Sequence, residues 1–164
     1  MLFTKIKAKG SRIHLEWEES KGAGEPDEHV LRSNERPRPE FIDSFLELRQ
    51  AVIIEAELPD EMLSQITPSG LSLSYYDDGR MGAVITGIRK LQNSNSPLVI
   101  NTPHKPDAPA NDNDQTPLLS VETSELIDVV VREAVLYVQG DRAEKPLDFD
   151  GAEEESREPV EAAA

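Results

Sequence analysis

The stretch Lys5-Ile6-Lys7-Ala8-Lys9-Gly10-Ser11-Arg12-Ile13-His14-Leu15-Glu16-Trp17-Glu18 sets small or apolar residues at every second position on either side of one glycine. Ile6 and Ala8 alternate with Lys5, Lys7 and Lys9. Ile13, Leu15 and Trp17 alternate with Arg12, His14, Glu16 and Glu18. A period of two marks strands with one buried and one solvated face. Gly10-Ser11 fits the tight turn between them, because glycine accepts positive φ. The sequence therefore opens on an antiparallel hairpin whose apolar face needs a second layer.

Outward from this hairpin, a polar loop is expected over Glu19–Glu28, and His29-Val30-Leu31-Arg32 could add a short third strand. Pro37 and Pro39 end the sheet. Pro39 suits the first helical position, where its missing N–H is no loss. Phe41, Phe45, Leu48 and Val52, widened by Ile42, Leu46 and Ile53, predict an amphipathic helix over Pro39–Leu58 before Pro59. A second group repeats the order: Leu71–Tyr76, a turn at Asp77-Asp78-Gly79-Arg80, Ala83–Ile88, then Pro97–Ile100. Pro103–Pro117 reads as a mobile loop. Ser120 is placed to cap a helix over Val121–Gln139, with an apolar stripe of Ile127, Val130, Ala134, Tyr137 and Val138, and Gly140 to stop it. The expected fold is α+β: an antiparallel sheet of about six short strands in two three-strand groups, each followed by a helix, with both helices on one face. The domain is expected over 1–140, with Phe41, Phe45, Leu48, Val52, Val130 and Tyr137 buried between the helices. Residues 141–164, acidic and poor in apolar side chains, are expected to be disordered. The recurring order raises an internal duplication, although no residue-level repeat accompanies it.

The net charge is −15. Residues 1–100 hold 12 Lys+Arg against 16 Asp+Glu, and residues 101–164 hold 5 against 16. The core is thus close to neutral and the acidity sits beyond it, where it can serve solubility alone. No apolar run reaches the roughly 20 residues of a membrane span. The N-terminal residues do not read as a signal peptide, so a cytoplasmic protein is expected. With no Cys, disulfides and thiolate chemistry are excluded.

His14, His29 and His104 fall in separate segments without the spacing of a metal pair. No serine sits in a nucleophile elbow, and Gly79-Arg80-Met81-Gly82 lacks the continuation of a phosphate loop. A non-enzymatic protein without cofactor or metal is expected. The most suggestive constellation is cationic and aromatic: Lys5, Lys7, Lys9, Arg12 and His14 on the first hairpin, with Tyr76, Arg80, Arg89 and Lys90 on the second. Such a face holds single-stranded nucleic acid when phosphates pair and bases stack. Lysines that blunt a sheet edge against aggregation give the same pattern. In the acidic segment, Phe149 is the plausible anchor for a partner.

Arg36-Pro37-Arg38-Pro39-Glu40-Phe41, Gly79-Arg80-Met81-Gly82-Ala83 and Ser96-Pro97-Leu98-Val99-Ile100-Asn101-Thr102-Pro103-His104-Lys105 resemble small phage-encoded proteins of unassigned function associated with DNA recombination and replication gene clusters. The resemblance covers roughly Ile6 to Gly140. It implies a phage or prophage origin, the host cytoplasm, and a role near DNA metabolism, and it carries no catalytic residue. The expected function is an accessory protein that binds single-stranded DNA or a recombination or replication partner, as a homo-oligomer. Two alternatives stand: an inhibitor of a host nuclease or defence factor with a DNA-mimicking acidic surface, and an oligomer binding a small ligand between subunits.

Overall fold

A computed structural model describes residues 1–144. The segment 145–164, including Phe149, lies outside the described residues. The first meander is β1 (Leu2–Lys9), β2 (Arg12–Glu19) and β3 (Asp27–Ser33), followed by helix α1 (Pro39–Glu55). The second is β4 (Thr67–Tyr75), β5 (Met81–Arg89) and β6 (Leu98–Asn101), with a two-residue strand β7 (Lys105–Pro106) and helix α2 (Val121–Val138). The two strand groups form one sheet, in the order β3-β2-β1-β4-β5-β6, with β7 also paired to β5. All pairs are antiparallel, and the groups meet where Lys5, Ile6 and Lys7 face Ser72, Leu71 and Gly70. The third strand is longer than His29–Arg32, because it pairs from Asp27 to Ser33 along β2.

The alternation of the opening hairpin is realised as written. Ile6, Ile13, Leu15 and Trp17 point into the core with Leu71, Leu73, Ala83 and Ile85 from the second meander. The helices cover this face. Phe41, Phe45, Leu48 and Val52 of α1 and Ile127, Val130, Ala134 and Tyr137 of α2 are buried. The helices run antiparallel: Arg38 grips Glu133 with one guanidinium nitrogen at 3.0 and 2.9 Å from its two oxygens, while Glu55 reaches the N-terminus of α2. Ser120 caps α2, accepting the Thr123 N–H at 3.0 Å. The first helix stops at Glu55 rather than at Leu58, because Glu57 turns into the left-handed region at φ 53°. Ile42 and Leu46, expected to widen the apolar stripe, are instead 39% and 40% exposed. Where Gly87 faces α1, a Cβ would lie 2.9 Å from the Ile66 side chain and 3.5 Å from Val52. Gly87→Ala is therefore expected to cost about 1–3 kcal/mol by overpacking, read as a lower urea midpoint at unchanged m.

Glu55 ties the layers together. Its carboxylate is 3% exposed, takes the Lys105 ammonium at 2.9 Å and accepts the Ser120 N–H at 2.9 Å. Burial alone would raise this carboxyl group. The Ser120 N–H, Lys105 and Thr123 together outweigh that and hold it below the ordinary value. The segment read as a loop, Pro103–Pro117, therefore carries a strand and a buried ion-pair partner. Near its end, Asp114 accepts the N–H groups of Ala110 and Thr116 and the Thr116 hydroxyl, which lower its carboxyl to about 2. Residues 141–143, expected to belong to a disordered segment, are held instead. Ala143 donates its N–H to Arg36 O at 3.0 Å. The Arg142 guanidinium lies 3.5 Å over the Tyr137 ring centroid and binds Glu35 at 2.7 Å.

Candidate nucleic-acid interface

The face of the sheet opposite the helices carries the other half of the alternation. Register places Arg32 beside His14, His14 beside Lys7, Lys7 beside Gly70, and Gly70 beside Thr86, so one row crosses five strands. Its cationic part, Arg32 to Lys7, spans two strand spacings, about 10 Å. At the next register position toward the turn, Lys9 faces Arg12. A cleft of about 520 Å³ opens over this end, lined by Lys7, Lys9, Arg12, His14 and Arg32 and by the small or polar Ser69, Gly70, Ser72 and Thr86. A second cleft of about 980 Å³ reaches from Lys9 to Arg89 and Lys90, with Ser64 and Gln65 in its wall. Lys9 is common to both.

The ion pairs sort the expected residues. Lys7, Lys9, Arg12, Arg32, Arg89 and Lys90 take part in no salt bridge among the described residues, whereas the paired cations Lys5, Lys21, Arg38, Arg80, Lys105 and Arg142 all lie outside the clefts. Among the described residues no Asp or Glu lines either cleft, although the chain has 32 acidic residues to 17 basic ones. Six positive charges without a salt-bridge partner among the described residues, lining two clefts that hold no described carboxylate, make a region of positive potential in an acidic protein.

His14 marks the boundary of that region. Arg32 donates its Nε–H to His14 Nδ1 at 3.2 Å, and Glu16 sits 2.6 Å from His14 Nε2. Since the guanidinium can only donate, Nδ1 accepts and the imidazole proton resides on Nε2, directed at Glu16. The His14 bond, with help from Lys5, holds the Glu16 carboxyl below its ordinary value. Lys5, 3.4 Å from Glu16, is thereby committed to an internal partner.

Tyr76 and Arg80 do not join this site. They lie in the β4–β5 turn, six residues along the strand direction from Gly70, about 20 Å away. Arg80 stacks over Tyr76 at 4.4 Å and binds Asp78 at 2.7 Å. Among the described residues no Phe, Tyr or Trp lines either cationic cleft, so the expected union of cations and stacking rings divides between opposite ends of the sheet. Arg32 was not among the residues singled out from the sequence, and its signal was present: alternation along His29–Arg32 puts it on the solvated face with Val30.

The remaining histidines serve other contacts. His29 stacks on Trp17 at 5.2 Å. His104 Nε2 lies 2.8 Å from the Ser74 hydroxyl, but among the described residues no carboxylate orients its other nitrogen. No group of three His, Asp or Glu suited to a metal occurs among the described residues, and no described helix is long and apolar enough to cross a membrane. No protein-family model, curated protein or solved structure matches the chain.

Proposed function

We propose that this protein is a non-enzymatic accessory protein of DNA metabolism that holds the phosphate backbone of single-stranded nucleic acid along the cationic end of its open sheet face. The observation that carries the reading is the pair of clefts that share Lys9, with six Lys and Arg side chains that form no salt bridge and no carboxylate among the described residues, in a chain of net charge −15. A cationic row about 10 Å across suits one strand. No described helix projects from this face to enter a major groove, and with no described Phe, Tyr or Trp in the clefts the contacts are to phosphates rather than stacked bases. Recognition should therefore be tolerant of sequence. The resemblance to phage proteins of recombination and replication clusters points the same way. The sheet edges support self-association: β3 exposes Val30, and β6 exposes Leu98 and Val99, on strands with an unpaired side.

The test is fluorescence anisotropy of a labelled oligothymidylate titrated at several salt concentrations. If all six cations meet phosphates, log K should fall against log salt with a slope of about 4, at roughly 0.7 per contact. Oligodeoxyadenylate of equal length should bind within a few fold. Absence of binding at low salt would overturn the reading.

A further inference from the structure

Between the N-terminal half of α1 and the Gly10 end of the sheet lies an apolar notch of about 170 Å³, lined by Pro37, Phe41, Ile42, Phe45, Leu46 and Pro68 among others. It is why Ile42 and Leu46 are exposed, and no described residue covers it. Three observations identify what does. The chain returns to this place after α2, because the Ala143 N–H is bound to Arg36 O, and Arg36 adjoins Pro37 in the wall of the notch. The first large apolar residues beyond Glu144 are Leu147 and Phe149. In an extended segment residues two apart share one side, and five residues reach at most about 18 Å. Finally, the notch and the cationic cleft share Ala8 and Ile13 in their walls. Beyond Phe149 come Asp150, Glu153, Glu154, Glu155 and Glu158 against the single Arg157.

We propose that Leu147 and Phe149 seat in this notch and lead the Glu153–Glu155 run into the cleft of Lys9 and Arg12, where it competes with the nucleic acid. The competition rests on the function proposed above; the seating of Leu147 and Phe149 does not. Burial of two apolar side chains supplies the anchor. The acidic run contributes the charge that the unpaired cations lack.

The chain contains no cysteine, so Ser156→Cys gives a unique site for a nitroxide in the full-length protein. Amide signals of Ile42, Phe45, Leu46 and Ala8–Arg12 are expected to weaken, while those of the Asp77–Arg80 turn keep their intensity. Adding Leu147→Ser and Phe149→Ser should restore the weakened signals, and so should Leu46→Asp in the notch. The Leu147→Ser, Phe149→Ser protein should also bind oligothymidylate about threefold to tenfold more tightly, the gain expected when a tethered competitor at roughly millimolar effective concentration is released. Uniform weakening, or weakening that survives the serine substitutions, would overturn the proposal. So would weakening seen only when labelled protein is mixed with a separate isotope-enriched sample, which would assign the notch to a second copy. Selective weakening in a protein that binds no oligonucleotide would uphold the seating and sink the nucleic-acid reading alone.

Discussion

Replacing Lys7, Lys9, Arg12 and Arg32 together by Gln is expected to weaken oligothymidylate binding by a factor on the order of 1,000 at low salt. Each charge lost from a phosphate contact is taken as about 1 kcal/mol, between an exposed ion pair and a charged hydrogen bond. Four such losses amount to roughly three powers of ten. The salt slope should fall by about 3, at roughly 0.7 for each of four phosphates no longer neutralised. All four side chains are exposed, form no salt bridge among the described residues and share a single exposed hydrogen bond, Arg32 to His14, so thermal stability should hardly change. Removing Arg49 and Arg132, two helix cations also free of salt bridges among the described residues, alters net charge without touching the clefts and should cost little affinity. Equal losses in the two variants would mean that overall charge, not the cleft, governs binding.

The largest effect on stability is expected at Glu55. Glu55→Ala removes the partner of Lys105, whose side chain is only 20% exposed, and leaves the Ser120 N–H without its acceptor. Breaking a buried pair on one side costs about 3–5 kcal/mol. Partial exposure of Lys105 favours the lower figure. For a domain of this size about 3 kcal/mol corresponds to a Tm lower by roughly 6–12 °C. Because the folded carboxyl is depressed, its contribution is complete above the unfolded value of about 4.3. It is lost as the pH falls below that value and through the folded one. Between pH 7 and pH 3 the wild-type protein should lose more stability than Glu55→Gln, in which this residue no longer titrates. Parallel curves would show that the carboxylate contributes nothing through its charge.

Legibility in the sequence followed local periodicity. Ile6 to Trp17 announced both the hairpin and its solvated face, and Pro39, Ser120 and Gly140 marked helix ends, because each acts locally: the proline and glycine through their own backbone, the serine through a hydroxyl that reaches the Thr123 N–H. The end of α1 was not visible, since a left-handed Glu57 has no residue-type signal of the kind Gly79 gives. Ile42 and Leu46 satisfied the helical period yet line the open notch between α1 and the Gly10 end of the sheet, a fact that only tertiary placement decides. The same limit divided the candidate site. Lys9 and Arg89 are 80 positions apart in the chain, and they share a cleft only because β1 pairs with β4 and β4 with β5. Tyr76 and Arg80 belong to that second hairpin too, but at its other end. Composition indicated cations on exposed strands; the register chose which of them had carboxylate neighbours.

The junction between the meanders consists of Lys5, Ile6 and Lys7 against Ser72, Leu71 and Gly70, short beside the seven or more register pairs within each flanking hairpin. Lys7 and Gly70 are at once part of that seam and part of the cleft lining. A strand of nucleic acid lying from Arg32 toward Thr86 would therefore act as a suture, drawing together two halves of the sheet that only three register pairs join. Binding and cohesion are then linked: ligand that favours the closed seam raises the free energy of opening it, and amide exchange at Ile6 and Leu71 should slow on binding before any other part of the sheet responds.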